Sequence, residues 1–381
     1  MKSKRGLYWP VLASMVLPWI AAWFAYPATH LPPKFGIFPP EHIPGTPGFS
    51  LPIFIVLALV ELALAVFFLF PRLFGFKPVA PPAPAPLARY PAWFWIGGAV
   101  MLFCWWLMWA RVTAFGSLVY YAFTPLWWGF IMVLDGLVYR RNNGRSLFSI
   151  RPHATLILAV VSVAAWAYFE YFDYFVLSNW YYPNSHHIRE LSHATVVALF
   201  LLAYSTVWPV VLEAYTLLRT FPALRVRYSQ GPRVKLPGEL LLVAGLVLLV
   251  LMVFLPYPLF WVVWIGPLLV VGGVLIREGV WTPFAALAKG DWSPLLLSAL
   301  GSLFIAIFWE VWNYGSAHPN PLPLTNPNYW EYAVPYVNVI HLFSEMPLLG
   351  FPGYLPFGVM VWVAFIWAGE AFNFDTNLHL E

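Results

Sequence analysis

The feature that most constrains this chain is a series of ten apolar segments, each about the length of a membrane-crossing helix, divided by short polar, proline-rich or basic stretches. They fall near 7–26, 50–71, 92–115, 118–137, 154–177, 190–217, 237–256, 258–276, 293–313 and 347–370. A helix rises about 1.5 Å per residue, so roughly 20 apolar residues cover the hydrocarbon core of a bilayer. Strict alternation is absent from these runs, which argues against β-barrel strands. Composition agrees: the 381 residues are 61% hydrophobic and 9% charged, where soluble domains carry about 25% charged residues. The expected fold is all-α, a polytopic integral membrane protein of about ten transmembrane helices, with no length left for a large soluble domain.

Basic residues set the expected orientation. Seventeen of the 20 lysines and arginines fall before the first span or in the stretches 72–91, 138–153, 218–236 and 277–292, and only Lys34, Arg111 and Arg189 fall on the other side. By the excess of positive charge in cytoplasmic loops, both termini are expected in the cytoplasm of a cell whose inner or plasma membrane holds the chain. The basic head and apolar run at the N-terminus resemble a secretory signal, but the run is long and lacks a small-residue cleavage site, so it reads as an uncleaved first helix. The same scatter of basic residues among short loops excludes a nucleic-acid-binding face. Cys104 is the single cysteine, which excludes an intrachain disulfide, a thiolate metal cage and covalent haem attachment.

Two stretches of the chain are similar in order and composition. Trp128 corresponds to Trp264 in a proline-led span, Arg140 to Arg277 at its basic end, Glu170 to Glu310 in the next span, and the segment NWYYP to NYWEYAVP beyond it. Both glutamates lie on spans running outward, so the expected repeat is parallel, two four-helix halves related by an axis along the membrane normal. The chain then divides into residues 1–78 with two spans and an external loop, a proline-rich linker at 79–91, a first half at 92–233 and a second at 234–381.

The residues expected to carry chemistry sit at the outer end of these halves. Glu170 and Asp173 are spaced i,i+3 on one helix face, and Glu310 and Asn313 repeat that spacing. An acid within hydrocarbon is costly, so each is expected to face the bundle interior and meet donors there. Interleaved rings, among them Trp166, Tyr174, Trp309, Trp312 and Tyr314, suggest a cavity whose walls cover an elongated apolar ligand while the acids address its polar end. Glu61, about 16 Å along the second span by helix rise, is a further acid near midplane. Asp135, Arg140 and Arg141 read as ordinary anchors at the cytoplasmic edge.

Two external clusters complete the inventory. His186, Glu190 and His193 would share one face at the start of the sixth span and form a two-histidine, one-carboxylate metal site, although the spacing is not that of a zinc protease. His341 and Glu345 would be i,i+4 neighbours if 337–346 is an interfacial helix lying over the bundle. The expected function is a membrane-embedded enzyme acting on an isoprenoid, lipid or similar amphiphile through the outer carboxylates. A quinone-interacting electron-transfer or assembly subunit, partnered through its external loops, and an ion-coupled transporter are the alternatives. A divalent metal or a quinone is the cofactor expectation, and haem is disfavoured because intramembrane histidine pairs are missing. Nucleotide loops and serine-nucleophile motifs are absent as well.

Overall fold

Backbone polar groups facing hydrocarbon must be paired within their own segment, and each of the ten expected segments forms helix. The computed structural model of the chain describes residues 5–40, 45–319 and 324–378. Its main helices are α1 (Arg5–Ala25), α2 (Leu51–Leu69), α3 (Ala92–Ala110), α4 (Phe123–Arg141), α5 (Pro152–Asp173), α6 (His193–Tyr204), α7 (Val207–Arg219), α8 (Gly238–Phe254), α9 (Val262–Arg277), α10 (Ser293–Ala317) and α11 (Tyr354–Phe372). The described residues contain a single pair of two-residue strands, β1 (Trp180–Tyr181) and β2 (Glu331–Tyr332), which run antiparallel with Trp180 opposite Tyr332.

Among the described residues seven helices, α6 and α7 taken together as one, are long and apolar enough to cross a membrane, and eight are if the bent pair 114–121 and 123–141 is one span. The apolar helices α8 and α9 have 17 and 16 residues. The expected sixth span is broken at Ser205–Thr206, because Pro209 cannot bond to the Ser205 carbonyl and its ring crowds that turn. Ser162 of α5 fills the break: its hydroxyl donates to the Tyr204 carbonyl and accepts the Trp208 N–H at 3.0 Å. The expected third span ends at Ala110, where Arg111 takes a left-handed backbone conformation.

Corresponding helix pairs pack through glycines. In the first half, α3 and α4 cross so closely that a Cβ on Gly129 would lie 2.7 Å from the Gly97 carbonyl, and one on Gly97 would lie 2.7 Å from the Gly129 carbonyl. In the second, Gly238 of α8 and Gly273 of α9 make the same reciprocal approach, at 2.8 and 2.7 Å. Small residues let backbones approach where lipid offers no hydrophobic drive for helix association. Helix α7 is buried from Val207 to Leu217 and packs on α4, α5, α10 and α11. Helix α1 lies against α8 and α9. No residue of α2 is fully buried.

The two ends of the bundle differ in character. At one end the start of α1 meets the end of α11, with the Tyr8 hydroxyl donating to the Ala371 carbonyl at 2.7 Å and the Trp367 indole to that of Leu7 at 3.0 Å. The basic connections gather there: Arg277 reaches the Gly6 carbonyl, Lys77 pairs with Gln230, and Gly231 with Gly290. The opposite end, called outer below, carries β1, β2 and the long loops, with Ser50 bonded to Tyr336 and Tyr182 to Pro40.

A methyl group at Gly273 would lie 2.6 Å from the Leu242 backbone nitrogen, whereas one at Gly98 would lie 3.9 Å from its nearest neighbour, Val133. Gly273→Ala is therefore expected to destabilise the chain by about 1–3 kcal/mol and Gly98→Ala to leave it within about 0.5 kcal/mol, read as thermal unfolding in detergent.

Candidate functional site

Glu170 and Glu310 are both buried, at 3% and 1% exposure, and each draws hydroxyl groups from its own half of the chain. Glu170 Oε1 accepts from the Trp166 indole at 3.0 Å, the Tyr182 hydroxyl at 2.5 Å and the Tyr204 hydroxyl at 2.8 Å. Glu310 Oε1 accepts from Tyr332 at 2.7 Å and Tyr354 at 2.6 Å, while its Oε2 accepts from Ser344 Oγ at 3.1 Å and the Met346 N–H at 3.2 Å. Burial of a carboxyl group in a low-dielectric interior demands such donors.

The residues three positions on perform a different task. Asp173 Oδ1 accepts the N–H groups of Asn179 and Trp180 at 2.8 and 3.4 Å, fixing the start of β1. Asn313 both accepts from the Trp330 N–H at 3.1 Å and donates to the Trp330 carbonyl at 2.7 Å, fixing the approach to β2. The i,i+3 pairs thus separate into a member that holds tyrosines and a member that holds a strand. With β1 and β2 paired, the outer loops of the two halves are stitched together over the bundle.

Beneath those strands lies a chamber of about 570 Å³. Its wall is drawn from both halves: Trp166, Trp180, Tyr182 and Tyr204 on one side, Trp264, Trp309, Tyr332 and Tyr354 on the other. Ile53 and Leu57 of α2 close one flank. Trp180 stacks on Trp264 with centroids 5.2 Å apart, and Trp309 on Tyr354 at 5.8 Å. Phe357, at 2% exposure, meets Trp166, Phe169, Trp264 and Trp309, so rings of both halves converge on it. No charged residue is among the described residues of the wall. The two glutamates stand one hydroxyl behind it.

Outside the helices, burial followed by the neighbouring carboxylate pushes the Tyr182 and Tyr332 phenols above their ordinary range, through Glu170 and Glu310 respectively. The Tyr181 and Tyr329 phenols rise first by burial and then through Glu331 and Glu345. All four therefore stay protonated and able to donate near neutral pH.

Several expected site residues lie elsewhere. Trp312 does not line the chamber but packs at 4.8 Å behind the wall residue Trp127. The Tyr174 hydroxyl donates to the Ile37 carbonyl at 2.5 Å, and Tyr314 stacks on His318 at 4.0 Å. Residues 337–346 form turns and bends, not a helix, with Tyr336 and Ile340 at positive φ. His341 is exposed, and Glu345 pairs instead with His318 at 2.7 Å and Tyr329 at 2.6 Å. The structure brings two members of the expected metal triad together, the His186 and His193 rings stacking with centroids 5.5 Å apart, but α6 begins only at His193, capped by Ser192, so His186 and Glu190 precede the helix and the three do not share a helix face. The His186 ring nitrogen meets the Pro39 carbonyl at 3.0 Å, and Glu190 accepts from Tyr120. Among the described residues no group of three histidine, cysteine or acidic side chains is placed to hold a metal ion.

Asp135 is no edge anchor. It is fully buried near the inner end, accepting from the Trp93 indole at 2.9 Å, Ser146 Oγ at 2.8 Å and the Phe148 N–H at 2.9 Å, and it meets the buried Glu213 carboxyl of α7.

Comparison with models of known protein families, with curated proteins and with solved structures finds no match to this chain.

Because Asp173 uses only acceptor capacity and its Oδ2 is unpartnered, Asp173→Asn is expected to be tolerated. Asn313→Asp removes the donor to Trp330 and sets a carboxylate oxygen against a carbonyl, and is expected to cost about 1–3 kcal/mol. Thermal unfolding of the two variants side by side checks the difference.

Proposed function

We propose that this chain is an integral membrane protein of ten spans, built from two parallel four-helix halves with α1 and α2 added, whose outer chamber binds an amphiphile. The observation that carries this reading is the chamber itself: a ring-lined space of about 570 Å³ at one end of an apolar bundle, enclosed by both halves and free of charged wall residues. Such a space suits an elongated apolar molecule with one polar end, and binding pockets of this kind are lined mainly by rings with few polar groups. The gathering of the basic connections at the opposite end supports a cytoplasmic placement of both termini and an outward-facing chamber.

Helix α2 supports a lateral route. It carries wall residues Ile53 and Leu57 yet buries no residue fully, so it can part from the bundle at small cost in packing. Any enzymatic step driven by the outer carboxylates would act through the phenols between them and the ligand, Tyr182 or Tyr204 in one half and Tyr332 or Tyr354 in the other. Binding is the primary activity in this reading, and catalysis would be added to it.

Gly353 provides the test. It lines the chamber, its backbone is helical at φ −57°, and a Cβ there would lie 4.0 Å from the nearest atoms, those of Trp264. Gly353→Leu is expected to project a side chain into the chamber and obstruct it without disturbing the fold. Native mass spectrometry of gently purified protein should show a retained amphiphile on the wild type and at least tenfold lower occupancy on the variant, at an unchanged melting temperature. Equal occupancy would remove the chamber as the binding site.

A further inference from the structure

We propose that the chamber selects amphiphiles with a cationic, ammonium-type head over neutral or anionic ones. This rests on the chamber being the binding site and adds the charge of the ligand. Three observations carry it.

The first is the placement of charge. Glu170 and Glu310 flank the chamber from opposite halves, each separated from it by tyrosines of the wall. A third carboxyl belongs to Glu61, which follows Ile53 and Leu57 at helical spacing on the α2 face that closes the chamber, with a buried, unpartnered Oε1. Against these three acids, no lysine, arginine or histidine is among the described residues of the wall. An anionic head would enter without a counter-charge, whereas a cationic head would find one in each half and one on α2.

The second is the direction of the hydrogen bonds. The wall phenols Tyr182, Tyr204, Tyr332 and Tyr354 all give their protons to the glutamates behind them. The indoles of Trp166 and Trp330 are likewise committed, to Glu170 and to the Tyr332 hydroxyl. What these phenols retain toward a ligand is acceptor capacity. A phenol that donates to a carboxylate also has a more electron-rich ring, although the wall keeps uncommitted donors in the Asn179 and Asn328 amides, so the discrimination against anionic heads rests on charge alone.

The third is the ring surface. The stacked pairs Trp180–Trp264 and Trp309–Tyr354 both belong to the wall, and tryptophan faces bind ammonium groups best of the aromatic side chains. Desolvation strengthens that attraction, and the chamber lies at the end of an apolar bundle.

The test uses the full chain in nanodiscs of neutral lipid, with binding measured by equilibrium dialysis and corrected for uptake by protein-free discs. The probes are hexadecyltrimethylammonium, its neutral carbon isostere and hexadecyl phosphate. The expected result is ammonium bound at least tenfold tighter than the isostere, with the phosphate weakest, and a preference reduced below threefold in Glu170→Gln/Glu310→Gln. Should that double variant fail to fold, Glu61→Gln on the loosely packed α2 replaces it and is expected to lower the preference at least twofold. Equal binding of the isostere, tighter binding of the phosphate, or an undiminished preference in the variants would overturn the charge assignment while leaving the chamber reading in place. Failure of all three probes to bind would overturn both. Tetramethylammonium alone should compete only at concentrations far above those of the amphiphile; competition at equal concentration would overturn the amphiphile and leave a site for the free ion.

Discussion

A carboxyl group inside an apolar bundle has to be met by donors, and the outer half of this molecule is arranged around two such groups. Glu170 and Glu310 each collect two tyrosine hydroxyls, one from a loop and one from a later helix. Those four phenols are also wall residues of the chamber. Satisfying the acids therefore positions the rings, and positioning the rings leaves the space between the halves. Asp173 and Asn313 extend the same logic outward by holding the segments that pair as β1 and β2. Loops that would otherwise be independent become a roof.

The surroundings of Glu170 and Glu310 share more than the acids. Glycine-mediated packing recurs between α3 and α4 and between α8 and α9, and the tyrosines of each half approach its glutamate from a strand-bearing loop and a following helix. The correspondence is incomplete where a strict copy would be expected. Glu310 gains Ser344 and the Met346 N–H, whereas Glu170 gains the Trp166 indole and keeps one unpartnered oxygen. The chamber is thus lined by similar but unequal surfaces. At the inner end, the meeting of Asp135 and Glu213 ties α4 to α7 by a second buried acid contact.

Much of this was legible in the sequence, for physical reasons that can be named. Helices were visible because length and apolarity are local properties, and every expected segment contains helix, although only seven or eight of them among the described residues are long and apolar enough to cross a membrane. Burial of Glu170 and Glu310 followed from the cost of an acid in hydrocarbon, and their i,i+3 partners followed from helical spacing. What spacing could not show was that Asp173 and Asn313 bond backbone groups in loops, or that β1 and β2 meet across 150 residues of chain. The wall residues Trp180, Tyr182, Tyr332, Tyr354 and Phe357 went unremarked individually for the same reason. The histidine cluster misled because the helix was started too early: the Ser192 side chain accepts the Thr195 N–H at 3.1 Å, and that cap was the available signal. Asp135 misled because the turn at Asn143 and Gly144, both at positive φ, folds Ser146 and Phe148 back onto it.

The account stands on the space between the halves being occupied by a molecule that enters from the membrane. An experimental map of the protein reconstituted with its native lipids tests that most directly. Continuous non-protein density bounded by Trp166, Trp180, Trp264 and Trp309 is the predicted result. A map in which those rings close on one another and leave no space would contradict it.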